Sequence, residues 1–179
     1  MISELIRGVS ENGVLVVDAL IILFLVALFY RKVMKKQSSM IEDSFSFVRN
    51  YYFILGSLIV LAATLGSLYY SEVLLFEVCV LCWYQRIFIY SQVVLFGIAL
   101  WYKDRSMVKY SLGLSIVGMA IAVFHFFTQM SGTSFCGANG GVDCAVREVL
   151  AYNYITFPVM GMTIFGLLII LGLIKLEKV

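Results

Sequence analysis

Five stretches of this chain, 13–30, 51–70, 83–102, 110–130 and 154–174, are long and apolar enough to cross a membrane. At ~1.5 Å of rise per residue, ~20 residues traverse a hydrocarbon core of ~30 Å. The runs are continuously apolar rather than alternating, and a span must satisfy its own backbone polar groups, so helices are predicted and a barrel is not. Composition agrees: 62% of residues are hydrophobic and 13% charged, with a mean hydropathy of +0.98. A water-soluble globule of this size is excluded, because it could not cover itself with so little polar surface. The second and fifth runs carry no charge, whereas the first holds Asp18, the third Arg86 and the fourth His125. The first run reads as an uncleaved helix and not a secretory signal. It is longer than a signal core, no small-residue cleavage site follows, and a basic flank does.

The basic residues orient the spans. Of the 13 Lys and Arg, Arg31, Lys32, Lys35, Lys36, Arg49, Lys103, Arg105, Lys109, Lys175 and Lys178 lie in three segments on one side. Only Arg7 and Arg147 lie on the other, and Arg86 is inside a span. This positive-inside bias predicts that the N-terminus and the loops 71–82 and 131–153 face outward. The net charge of +2 therefore reports topology and gives no reason to expect nucleic acid. The expected fold is an all-α membrane protein. A four-helix transmembrane bundle over 51–179 follows an N-terminal extension, 1–50, with one additional helix at 13–30 and a cytoplasmic linker at 33–49. That extra helix shows no small-residue stripe and is expected at the periphery.

All four cysteines fall on the predicted outer side, the oxidising side on which disulfides persist. Cys79-Val80-Leu81-Cys82 opens the third span. At a helix start the second thiol sits beside unpaired N–H groups and the positive end of the dipole, which favours thiolate at Cys82. Compact C-x-x-C disulfides also exchange readily. The bland alternative is half a zinc site, but Cys136 and Cys144 have seven residues between them, wider than zinc-binding pairs, and His125 is predicted inside the bilayer. Trp83-Tyr84-Gln85-Arg86 follows. Arg86 lies four residues beyond Cys82, ~6 Å deeper on nearly the same face. It reads either as a snorkelling arginine or as a cation that stabilises the Cys82 thiolate and a carbonyl oxygen made anionic by reduction.

The segment joining Cys136 to Cys144 contains Gly137, Gly140 and Gly141, a flexibility that suits a shuttling disulfide better than a rigid staple. Asp143 is expected to cap a short helix over 144–150, with Val146, Val149 and Leu150 on the membrane interface. On the fourth span Ser111, Ser115, Gly118, Ala122 and His125 form one stripe of mostly small residues. The stripe should face into the bundle and carry His125 with it, ~22 Å along from Tyr110 and level with Arg86. A buried core histidine is the alternative.

Cys79 through Arg86, opening a helix after an outer loop and accompanied by a second outer cysteine pair, resembles the DsbB family of disulfide bond formation membrane proteins, including its BdbC branch. The likeness covers about residues 50–175. It implies a membrane thiol oxidase of the bacterial cytoplasmic (inner) membrane, with its cysteine loops facing the periplasm or cell exterior. Such a protein reoxidises a secreted DsbA-like, thioredoxin-fold partner and passes electrons to a membrane quinone, ubiquinone or menaquinone. By position Cys136 would form the mixed disulfide with the partner and Cys144 would resolve it, although better-known Gram-negative members separate these cysteines by a longer segment. Electrons would pass to Cys79 and Cys82, and Cys82 would attack the quinone. Arg86, Gln85 and His125 are candidates for the quinone head group in a pocket near the outer leaflet, and no metal is expected. Two competing readings remain: a vitamin K epoxide reductase-like protein, against which the Trp-Tyr-Gln-Arg continuation argues, and a non-enzymatic membrane protein with structural or metal-binding cysteines.

Overall fold

In the computed structural model, the described residues are 8, 12–19, 21–22, 39–102, 104, 106–132, 136, 142–147 and 149–176. Four long helices arise from the apolar runs: α1 (Ser39–Leu68), α2 (Val80–Tyr102), α3 (Met107–Ser131) and α4 (Phe157–Leu176). No β-strand occurs among the described residues. Three described helices are long and apolar enough to cross a membrane: Asp43–Val73, Met107–Ser131 and Phe157–Leu176. The fourth, α2, has 23 residues, and its apolar character is diluted by Gln85, Arg86 and Gln92, all of them buried. The chain is an all-α membrane protein.

The helices form a ring, with α1 packed on α2 and α4, and α3 packed on the same two from the other side. The predicted stripe of α3 does face inward: Ser111, Ser115, Gly118, Ala122 and His125 are all buried. Its small side chains allow close approach. A Cβ at Gly118 would stand 2.3 Å from the Phe165 ring of α4. The serines also bind across helices: Ser111 Oγ donates to Gln92 Oε1 at 2.7 Å, and Gln92 Nε2 donates to Ser115 Oγ at 3.1 Å. Such bonds hold membrane helices together where no hydrophobic difference between protein and lipid can.

Three expectations change. Residues 39–49, placed in a cytoplasmic linker, are helical. Phe45, Val48, Tyr52, Leu55 and Ile59 recur at spacings of three and four and pack on the core, Phe45 and Tyr52 being fully buried. Periodicity therefore extends α1 beyond its most apolar part, to 30 residues and ~45 Å. The described residues of the segment, 144–147 and 149–150, are not helical. Asp143 Oδ1 accepts the Ala145 N–H at 2.8 Å, and Val146 N–H reaches Asp143 O at 3.2 Å, which closes a turn instead of capping a helix. Val149 is buried rather than interfacial, while Val146 and Leu150 are exposed. Beyond that turn Arg147 Nη2 donates to Gln129 O at 3.0 Å and Gln129 Nε2 to Val146 O at 3.1 Å. Arg147, an exception to the basic asymmetry, thus serves the carbonyl end of α3, beside Gly132 in the left-handed conformation that ends the helix.

The third change concerns the N-terminal helix. Half of 13–30, and the linker at 33–38, lie outside the described residues, but helical residues 12–19 lie against the bundle. Tyr152 OH donates to Asn12 Oδ1 at 2.5 Å, and Thr163 Oγ1 of α4 donates to Asp18 Oδ1 at 2.5 Å. These residues are not peripheral to the cavity described next.

Candidate redox site

The C-x-x-C pair stands where the chain enters α2. Cys79 precedes the helix and is 5% exposed, and Cys82 sits in its first turn, half-buried. Their sulfurs are 3.1 Å apart and unbonded as a disulfide. The Cys82 N–H also points at Cys79 Sγ, at 3.4 Å. The donors at the helix start thus serve Cys79, not Cys82 as the sequence suggested. Cys136 and Cys144 are joined as a disulfide. Cys144 is 1% exposed and packs with Cys79 and Leu81 in one apolar cluster, against which Cys82, Cys136 and Val142 also lie. The two pairs are neighbours, with Cys136 the more accessible sulfur of the disulfide.

His125, 1% exposed, ties the pairs together. Its Nδ1 lies 3.0 Å from Gln85 Nε2, its Nε2 3.2 Å from Cys144 O and 3.7 Å from Cys79 Sγ. With the Gln85 amide donating to Nδ1, the ring proton sits on Nε2 and points between the Cys144 carbonyl and the Cys79 sulfur. Gly161 makes room for Gln85, since a Cβ there would come within 2.3 Å of Gln85 Oε1. Tertiary packing thus sets His125 between the two cysteine pairs, with Gln85 on its other ring nitrogen.

On the other side of α2 opens an apolar cavity of about 360 Å³. Cys82, Gln85 and Arg86 line it, and His125 does not. Arg86, 8% exposed, donates from Nη2 to Ser67 O at 2.9 Å and lies 5.3 Å from the Trp83 ring centroid. The accepting carbonyl sits just before the last turn of α1, which widens to a π-helix over Tyr69–Val73, a local irregularity common at functional sites. Tyr70, Phe76 and Phe157, mutually packed with ring centroids 5.2 to 6.1 Å apart, form the cavity's aromatic end.

Two neighbouring thiols, a disulfide packed against them and an apolar cavity thus meet around Cys82. The family model described as "Disulfide bond formation protein DsbB" matches residues 49–174. The chain belongs to the DsbB family. Probable disulfide formation protein C 1 of Bacillus anthracis is 42% identical over 102 residues, 56% of this chain and 73% of the relative. Disulfide bond formation protein C of Bacillus subtilis (strain 168) is 39% identical over 125 residues, 67% of this chain and 89% of the relative. A probable disulfide formation protein of Coxiella burnetii (strain CbuK_Q154) is 36% identical over 141 residues, 75% and 95% of the two chains. No solved structure matches the chain.

This DsbB-family member is a membrane disulfide bond formation protein, a protein-disulfide oxidoreductase. Cys79, Cys82 and His125 bring two sulfurs and one nitrogen within 4.8 Å of one another, a set that could hold a metal. Yet two sulfurs bound at ~2.3 Å to tetrahedral zinc would stand ~3.8 Å apart, and these are 3.1 Å apart. That spacing suits two thiols sharing a proton. The hydrogen bond from the Cys82 thiol, with help from His125 and the Cys82 N–H, pulls the Cys79 thiol from 9.0 to about 4, against the upward push of burial. A thiol lowered in this way is charged above its pKa. Alkylation of the reduced protein by iodoacetamide is therefore expected to stay nearly flat from pH 8 down to about pH 5 and to fall as pH drops through about 4. Cys82→Ala removes the largest lowering contact, so the midpoint should rise; an ordinary thiol profile in the unmodified protein would refute the arrangement. Ser67 and Gln129 escaped the sequence reading, and Asp18 was noted there without a role. Asp18 alone had a signal, as a carboxylate in an apolar run.

Proposed function

We propose that this protein is a thiol:quinone oxidoreductase of the bacterial cytoplasmic membrane. It reoxidises a secreted DsbA-like, thioredoxin-fold partner through Cys136 and Cys144 and sends the electron pair through Cys79 and Cys82 to ubiquinone or menaquinone. The observation that carries this reading is that the two pairs pack in one cluster while Cys82 faces the apolar cavity. The architecture proposed with it is α1–α4 as four spans plus one N-terminal span at 13–30, the cysteine loops facing outward. The one-sided distribution of Lys and Arg supports that orientation.

In the forward direction the partner's thiolate attacks Cys136, the accessible sulfur, and Cys144 leaves as thiolate. The partner's second thiolate then displaces Cys136 and departs as a disulfide. Cys144, buried beside Cys79, attacks that sulfur of an oxidised Cys79–Cys82 bond, and Cys82 leaves as thiolate. Cys136 then attacks Cys144, restores their disulfide and releases Cys79. The arrangement observed here, one disulfide and two neighbouring thiols, corresponds to the moment after that exchange. His125 Nε2, facing both Cys144 O and Cys79 Sγ, steadies the charge on Cys79.

The cavity fits a quinone: its walls are apolar for an isoprenoid tail, and its polar lining includes Cys82, Gln85 and Arg86. When bound, a quinone accepts two electrons and two protons and leaves as quinol. Moving the shared proton from Cys82 to Cys79 puts the thiolate on the cavity side, where Arg86 favours it. Cys79 would then close the disulfide on Cys82, its proton and the electron pair passing to the bound quinone and the second proton coming from solvent. Arg86 and the Gln85 amide are placed to bind the head group as its oxygens gain charge.

Purified protein, reduced DsbA-type partner and a soluble quinone should together show quinone bleaching matched one to one by partner disulfide. Partner oxidation without quinone consumption, beyond the protein's own stored disulfides, would sink the reading.

A further inference from the structure

The cavity has a wall that the family core does not supply. The family match begins at residue 49, yet Gly13, Val14 and Val17 line the cavity, across from residues of α1 and α4 such as Ile59 and Ile164. Positions 13, 14 and 17 lie on one face of a helix. Two polar contacts bracket that face, both to residues at or after position 150. Asn12 holds Tyr152, and Asp18 holds Thr163 at 2.5 Å, with Tyr154 OH at 3.5 Å. A carboxylate in an apolar helix is unfavourable in lipid unless partnered, and α4 partners this one at the level of the cavity: Thr163, its contact, is itself a lining residue.

We propose that residues 12–19 form a wall of the quinone site, that Val17 is a specificity-determining contact for the quinone, and that Asp18 is a positioning residue that holds the wall on α4. This rests on the quinone reading given above. In the four-helix core alone, the cavity would open to lipid between α1 and α4 along this face. With residues 12–19 in place the quinone is enclosed there, and the bulk of positions 14 and 17 decides how much ring and tail the site accepts.

The test measures KM and kcat for a quinone with a ten-carbon tail, using full-length protein in detergent with reduced partner in excess. The quinone-free exchange between the partner and the Cys136–Cys144 disulfide serves as the measure of correct folding. Val17→Trp should raise KM by about tenfold or more, with kcat within about twofold and the quinone-free exchange unchanged, because a larger side chain occupies the space of the ligand. Asp18→Ala should raise KM about threefold to tenfold, and Asp18→Asn, which still accepts a hydrogen bond from Thr163, should restore most of the affinity. A merely structural aspartate would lower quinone-free exchange and quinone reduction together, without this split. Should Val17→Trp fail to fold, the Asp18→Ala and Asp18→Asn pair decides alone. Quinone turnover with KM unchanged in both Val17→Trp and Asp18→Ala overturns the inference and leaves the quinone reading standing. Absence of quinone turnover in the unmodified protein overturns both.

Discussion

Cys82→Ser should leave a protein that oxidises one equivalent of reduced partner and then stops. The unmodified chain, fully oxidised, stores two disulfides, Cys136–Cys144 and Cys79–Cys82, and so should oxidise two equivalents without quinone and continue indefinitely with it. With Cys82 removed, only the Cys136–Cys144 bond remains to be spent. Cys79, buried and outside the cavity lining, has lost the partner of its own pair. Steady quinone reduction should fall by three orders of magnitude or more, to background, since loss of a covalent nucleophile removes the step itself rather than weakening it. Counting partner disulfides by thiol titration gives the stoichiometry. Two equivalents, or continued quinone bleaching, would show that electrons bypass the C-x-x-C pair.

Arg86→Gln should cost about a hundredfold in kcat/KM for quinone, mainly through apparent affinity. The guanidinium is buried in a low-dielectric cavity, one turn beyond Cys82 on the same helix, and a hundredfold corresponds to ~2.7 kcal/mol, the typical effect of removing one donor from a developing oxyanion. Its contact with Ser67 O uses one N–H of a group that has five, so the remaining donors can meet a head group while the first fixes the side chain. Losing that fixed bond should also lower thermal stability by ~1.5–3 kcal/mol. Quinone-free exchange with the partner at Cys136 separates the two effects, since it needs the fold but not the cavity. Arg86→Lys should recover part of the affinity, because it keeps the charge and loses the fork geometry. Unchanged quinone affinity in Arg86→Gln would remove Arg86 from the site.

Much of this was legible from residue type and spacing. Apolar run length shows that α1, α3 and α4 belong in lipid, and the Ser111 to His125 stripe names the inward face of α3. The motif from Cys79 to Arg86 carried the resemblance to the family that the chain belongs to. The start of α1 was missed because mean apolarity fades before residue 51, while the three-and-four spacing from Phe45 to Tyr52 continues. A helix over 144–150 was expected in place of the turn because Asp143 can cap either, and the contacts that hold Val146 and Arg147 come from Gln129 of another helix.

By itself, then, the sequence determined a helical membrane chain with one cysteine pair opening a helix, a second pair between helices and a cation one turn beyond the first, because hydropathy, helical period and motif spacing are local properties. Only the tertiary structure decided which sulfur gathers the hydrogen bonds, that His125 bridges the cysteine pairs instead of facing the cavity, and that residues 12–19 wall that cavity. The last two depend on side chains separated by tens of residues or more, such as Cys79 with His125 and Asp18 with Thr163, and the first depends on a rotamer choice that spacing leaves open. Contacts of that range are fixed by how the helices pack and not by any pattern within one of them.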